Sequence, residues 1–336
     1  MRLLTYVAKR LLLLIPVLFG ISIVTFILLR VVPGDPLRML LPQTATQADL
    51  ERIRARYGLD QSLFEQYRIY LGKLLHGDFG TSFQTGQAIT HEMGQRLGPT
   101  IELVTIALSV ALLIGVTLGV VSALRAGRPS DHVIRIGSLA ATAIPEFWLG
   151  LLLVLVFYYE LGVVSAPVGR YGSELVFPTV THLDLVDAAL AGNAAAVQSV
   201  VSHLLLPVAA LAAVTSAPII RTVRAAALHA LGSESYRCAE AHGLPRRLLV
   251  RHYVLREALS GVPTLAALIY GNLIGGAVLI EFIFGWQGFG QWALQGLQVR
   301  DYPVVQAFVL VSATVYVIVF LIADVVHAML DPRVKL

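Results

Sequence analysis

Six stretches of this chain run far enough between charges to cross a lipid bilayer: 11–29, 103–124, 136–159, 204–220, 258–280 and 302–323. A spanning helix needs about 20 mostly apolar residues. Only the third stretch carries a charge, Glu146. Six such lengths in a soluble protein would leave no amphipathic surface to meet water. Charged residues are 14% of the 336, against about 25% in soluble domains. Lipid must therefore cover much of the surface, and the expected fold class is an all-α integral membrane protein with about six transmembrane helices. Lys9 and Arg10 precede the first stretch as they would in a signal peptide. Its apolar run exceeds a signal core of roughly 7–15 residues, however, and no small-x-small cleavage site follows. It reads as a retained span.

Lys and Arg in short loops set the orientation. With six spans both termini share one side, and fifteen Lys and Arg fall there. Seven of them, Arg221, Arg224, Arg237, Arg246, Arg247, Arg251 and Arg256, sit in the 221–257 loop. The two shorter opposite loops hold only Arg170 and Arg300. The termini and the 221–257 loop are thus expected in the cytoplasm. This divides the chain into a terminus and first span (1–30), an extracytoplasmic segment (31–99), a five-span core (100–328) and a cytoplasmic tail (329–336).

In the outer segment, Pro33-Gly34-Asp35-Pro36 predicts a sharp turn. Thr46 with Asp49 predicts a capped helix start, followed by Leu50, Ile53 and Tyr57 at helical spacing. A second helix carries Phe64, Tyr67, Tyr70, Leu71 and Leu74. Both are expected on the outer membrane surface, apolar face down. In the cytoplasmic loop, 233–244 reads as a short helix closed by Gly243, because glycine suits the left-handed position after a helix end. Pro245 can then open the next helix. Such a helix could dock into a partner and pass force, or simply rest on lipid headgroups.

Further motifs run in order along almost the whole chain: Arg10-Leu11-Leu12 with Val24-Thr25-Phe26, Tyr57-Gly58-Leu59-Asp60, Gly77-Asp78-Phe79-Gly80-Thr81-Ser82-Phe83, Thr100-Ile101-Glu102-Leu103, Ile144-Pro145-Glu146-Phe147-Trp148 and His203-Leu204-Leu205-Leu206-Pro207. Glu281 and Phe284 with Gly288 and Gly290, then Arg300-Asp301-Tyr302-Pro303-Val304-Val305-Gln306 and Asp331-Pro332-Arg333, complete the series. The chain resembles the permease subunits of ATP-binding-cassette importers, in the dipeptide/oligopeptide/nickel branch. That resemblance implies a type I importer-like permease of the bacterial inner membrane. It implies a second homologous permease, two ATP-binding subunits and an extracytoplasmic solute-binding protein as partners. No cofactor is implied in this chain, since ATP and Mg would sit on the ATPase subunits.

The resemblance also places the family's EAA motif in the cytoplasmic loop, with an ATPase-coupling role for Arg237, Ala239, Glu240, Ala241, His242, Gly243 and Leu244. Ala239 and Gly243 match the motif, while Arg237 stands where its name has Glu, and Glu240 and His242 replace the usual Arg and Lys. Glu257, Phe320 and His327 also depart from the family pattern. Peptides are the implied substrates, with nickel chelates, glutathione and sugars as alternatives.

The residues themselves agree with a chain that is not an enzyme. An ATP-driven pump needs a Gly-x-x-x-x-Gly-Lys-Ser/Thr cradle, and Gly72-Lys73 is followed by Leu74. Energy must come from another chain or from an ion gradient. An ion-coupled secondary transporter would show inverted repeats, and the two halves show no convincing one. Acids at membrane depth usually face a path or a partner. Glu146, after Pro145, is expected at a broken helix. Glu146, Glu281 and Trp286 are the candidate pore or gate residues, with capping or ion pairing as the structural alternative for the acids. Trp286, Trp292 and Tyr302 also read as interfacial anchors. Gly115-x-x-x-Gly119 and Gly271-x-x-x-Gly275 could each allow close helix packing.

Overall fold

A computed structural model describes the backbone of residues 2–31, 46–164 and 166–330, and their side chains except at 2–11, 31, 50, 53, 56, 57 and 327–330. The expected Pro33–Pro36 turn, the 331–333 motif and the apolar face of Leu50, Ile53 and Tyr57 lie outside what is described.

The first span is α1 (Arg2–Val31). Two short helices follow, α2 (Gln47–Tyr57) and α3 (Leu63–Leu75). The Thr46 signal is realised as a full capping box: the Thr46 hydroxyl accepts from the Asp49 amide at 3.3 Å and Asp49 accepts from the Thr46 amide at 3.0 Å. Gly58 ends α2 in the left-handed region. The expectation for α3 needs correcting. Tyr67 and Tyr70 turn onto α1, with ring centroids 5.1 and 5.9 Å from that of Phe26. The Tyr67 hydroxyl lies 2.9 Å from that of Ser22. Leu63, Phe64 and Leu75 are left exposed. Tyr67 and Tyr70 are thus committed to protein, while Phe64 of the same expected face stays exposed.

The core is built on α4 (Ile89–Leu124), which runs well outward of the predicted second span, beginning at Ile89. Its 36 residues make a rod about 54 Å long, longer than the ~30 Å hydrocarbon layer. Hydropathy reports only the lipid-facing part of such a helix. The third span divides into α5 (Pro129–Ala143) and α6 (Glu146–Leu153), bent by 101° at the expected place. Ile144 is extended, as the residue before a proline prefers, and Pro145 removes a helix donor. Residues 154–160 continue α6 as a π-helix. After the small helix α7 (Asp184–Leu190), α8 (Ala194–Gly232) forms the longest rod and extends past the predicted fourth span at both ends. Then come α9 (Glu234–Ala241), α10 (Arg246–Leu249), a π-turn at 250–254, α11 (Leu255–Ser260), α12 (Val262–Ile283), α13 (Phe289–Gln298) and α14 (Tyr302–Leu330). Among the described residues five helices are long and apolar enough to span, six if the bent pair counts as one. The only strand-like feature among them is the isolated bridge between Thr81 and Ala88.

Lipid offers no hydrophobic drive between helices, so close packing of small residues must hold them. The α4–α8 seam does this through Gly115 and Gly119. A Cβ at Gly115 would fall 2.5 Å from Ile219 Cγ2, and one at Gly119 2.8 Å from Val223 Cβ. Of the second glycine pair, only Gly271 is in such contact, against the Tyr316 ring of α14; a Cβ at Gly275 would meet open space. Leu103, Ala107, Ala111, Leu211, Ile219, Val223, Ala277 and Ile280 form the buried centre between α4, α8 and α12.

Candidate coupling surface and transport path

Ser233 both ends α8 and caps α9, its hydroxyl accepting from the Tyr236 amide at 3.2 Å. The other end of α9 closes in a Schellman motif. Leu244 N–H bonds the Ala239 carbonyl at 3.3 Å and Gly243 N–H bonds the Glu240 carbonyl at 2.9 Å. Gly243 has φ of 75°, the left-handed conformation the sequence called for. Ala239 is buried and Tyr236 packs against the core. Arg237, Glu240, Ala241, His242 and Gly243 are exposed, and Leu244 is half-buried. Neither Arg237 nor Glu240 has an ion-pair partner among the described residues. The helix thus sits on α8 and α10 by one face and offers its charges on the other.

A clamp of buried polar groups lies near this end. Asp131, at the start of α5, accepts from Ser122 of α4 at 2.5 Å, from Arg224 of α8 at 2.8 and 2.9 Å, and from the Gly127 amide at 3.1 Å. Asp131 is buried. The planar guanidinium fork matches the carboxylate bidentately. Four segments are tied within two turns of the α8 end that becomes α9. The sequence showed Arg224 only as one of many positive charges.

At the opposite end, Glu281 and Trp286 are fully buried. Glu281 accepts from the Thr100 hydroxyl and from the Gln291 amide at 2.8 Å. Thr100 in turn accepts from the Phe289 amide at 2.7 Å. The carboxylate of α12 therefore caps α13 and binds both to α4. Gly290 packs tightly there, since a Cβ would stand 2.7 Å from Val278 Cγ2 and 3.1 Å from the Glu281 carboxylate, and one at Gly288 would collide with that carboxylate. Trp286 Nε1 donates to the Pro99 carbonyl at 3.1 Å, and Trp292 Nε1 to Glu92 at 2.8 Å. With Tyr302 also buried, these three aromatics are internal struts and not interfacial anchors. The two indole donors, of Trp286 and Trp292, satisfy buried acceptors, a use that hydropathy does not show.

The connection around α7 is equally tied. Glu102 accepts from the Asp184 and Leu185 amides at 3.0 and 2.8 Å, and Arg170 pairs with Asp184 at 2.9 Å. Burial, its largest influence, raises the pKa of Asp184 above the ordinary carboxylate value. Asp187 is also buried, but hydrogen bonds from Thr181, Val180 and His182 outweigh that burial and hold its pKa below the ordinary value.

Glu146 stands apart from these caps. It opens α6 at the break, half-buried, and makes no hydrogen bond or ion pair among the described residues. Its carboxylate lies beside Gly276 of α12, where a Cβ would come within 3.0 Å. Of the three candidate pore residues it alone has an uncommitted polar group.

The family models agree with this architecture along nearly the whole length. Residues 115–336 match the binding-protein-dependent transport system inner membrane component, and residues 3–104 match the N-terminal region of such components. The chain is 39% identical over 322 residues to a probable D,D-dipeptide transport system permease protein, DdpB, of Escherichia coli K12, covering 96% of this chain and 94% of that protein. It is 36% identical to the dipeptide transport system permease protein DppB of Alkalihalophilus pseudofirmus, over 99% of each. Among solved structures, an inward-facing MetNI methionine ABC transporter chain matches with a TM-score of 0.55 at 15% identity, over 72% of this chain and 98% of that one. That likeness shows a shared fold. The chain is a member of the family of inner membrane components of binding-protein-dependent transport systems, and as such a transport permease subunit.

Proposed function

We propose that this chain forms one half of the translocation path of an ATP-driven importer of short peptides, with a second homologous permease as the other half. The observation that carries the substrate class is the near full-length similarity to permeases named for dipeptide transport. The termini and α9 lie in the cytoplasm, as the Lys and Arg distribution indicates. ATP is bound and hydrolysed on separate subunits that grip the exposed face of α9, with Arg237, Glu240 and His242 toward them. A solute-binding protein delivers substrate from outside. ATP shifts the permease between states only through its differential affinity for them, so a rigid link from ATPase to span is needed. The α8–α9 junction at Ser233 and the Asp131–Arg224 clamp supply that link. Glu281 and Trp286 brace the outer end, and Glu146 is the residue of this chain that faces the path.

The test is co-purification from native membranes in mild detergent, with wild type and Gly243→Trp. Wild type retains two ATP-binding subunits and a second permease. Gly243→Trp, strained by about 1–2 kcal/mol at a left-handed position, loses the ATP-binding subunits. Wild type emerging alone would defeat the proposal. Uptake of a labelled dipeptide by membranes holding the complete system then tests the substrate class, and uptake of a sugar but no peptide would overturn it.

A further inference from the structure

Along α12, exposed residues recur at helical spacing: Leu268, Asn272, Gly275, Leu279 and Phe282. The other side of the helix, with Leu273 and Ala277, is buried in the core. The helix runs from Val262 to Ile283, so Asn272 stands at its middle. Its side-chain amide is exposed and makes no hydrogen bond among the described residues. One turn further along, ~6 Å by the helical rise, Gly276 meets Glu146. A Cβ at Gly276 would stand 3.0 Å from Glu146 Oε1, while one at Gly275 would meet nothing within 4 Å. An unbonded carboxylate and an unbonded amide thus flank a glycine notch that is open to the outside of the chain.

Hydrocarbon can satisfy neither group, and such groups at membrane depth face a path or a partner. The sign of the site narrows what it takes. Glu146 is the one charge in the six apolar stretches, and no Lys or Arg stands in any of them. A zwitterionic peptide meets here a group for its ammonium and none for its carboxylate. An ammonium brings donors only, and a carboxylate accepts them in strong, charge-assisted bonds. Asn272 offers both a donor and an acceptor, which suits a peptide group.

We propose that Glu146 and Asn272 form a subsite for the amino end of the transported peptide, Glu146 pairing with its ammonium and Asn272 bonding its first peptide group. The proposal rests on the peptide-importer reading above. It adds which end of the substrate this half of the path holds.

The experiment treats the assembled transporter in liposomes with dicyclohexylcarbodiimide, which modifies carboxyl groups within the membrane, and reads the adduct on Glu146 by peptide mapping. Three probes are compared at equal concentration: dialanine, dialanine amide, which lacks the carboxylate, and N-acetyl-dialanine, which lacks the ammonium. The first two protect Glu146 and the third does not. Asn272→Leu weakens the protection by dialanine about fivefold, the size of one hydrogen bond between neutral groups. The amide it removes is exposed and unbonded, so folding is not at issue. Glu146→Gln lowers dialanine uptake about tenfold, the size of one lost hydrogen bond to a charged group, with the second permease retained, and Glu146→Asp restores part of it. Protection by N-acetyl-dialanine equal to that by dialanine, or protection by none of the three, overturns the proposal. So does loss of the second permease in Glu146→Gln, which would make the carboxylate an ion pair between subunits. Wild-type uptake of dialanine without protection of Glu146 would sink the subsite and leave the importer reading standing. Protection in the expected pattern without any uptake would count against the importer reading and not against the subsite.

Discussion

Single side chains in this protein act mostly as caps and struts between helices. Glu281 is the strongest case, because its two acceptor oxygens serve a hydroxyl and an amide from different elements. Glu281→Leu leaves those buried donors unpaired and is expected to cost about 2 kcal/mol. Glu146→Leu removes no hydrogen bond and is expected to leave stability within about 0.5 kcal/mol. Thermal unfolding of the purified transporter separates the two. Equal destabilisation would remove the distinction between a capping acid and an uncommitted one. The sequence marked Glu146 by the proline before it, and Glu281 and Trp286 by type and by position near a span end. It could not tell which way each side chain turns, since the surrounding helices are apolar on every face and carry no stripe from which to read rotation.

Helices were legible where a breaker or cap marks them. Pro145 announced the bend, Thr46 and Asp49 the start of α2, and Gly243 the end of α9. Lengths were less legible, because α4 and α8 continue into polar sequence that hydropathy assigns to loops. The two Gly-x-x-x-Gly pairs look alike as sequence, yet only one forms a tight seam, since closeness depends on what lies opposite. Gly119→Leu is therefore expected to break the α4–α8 seam and abolish folded protein in the membrane, while Gly275→Ala is expected to be neutral. Size-exclusion profiles of the two variants in detergent check this. Failure of Gly275→Ala alongside a folded Gly119→Leu would contradict the packing.

Across the molecule, the two ends do different work. The end with Glu281, Trp286 and Trp292 is locked by buried hydrogen bonds, and the end with Ser122, Asp131 and Arg224 is held by one bidentate pair beside the α8–α9 junction. Arg224→Met is expected to leave the ATP-binding subunits attached but to lower dipeptide uptake per ATP hydrolysed at least about tenfold, a coupling change of roughly 1.4 kcal/mol. Uptake and hydrolysis measured on the same vesicles give the ratio. An unchanged ratio would mean that the clamp carries no coupling.

The central claim is that α9 is where this chain meets its motor. The chain has a single cysteine, Cys238, and it is exposed on that helix. A thiol-directed photo-crosslinker placed on Cys238 in native membranes therefore samples one surface. A covalent adduct with an ATP-binding subunit, lost in Gly243→Trp, is the predicted result. Adducts to lipid alone, in membranes that still import peptide, would contradict it and move the coupling surface elsewhere on the chain.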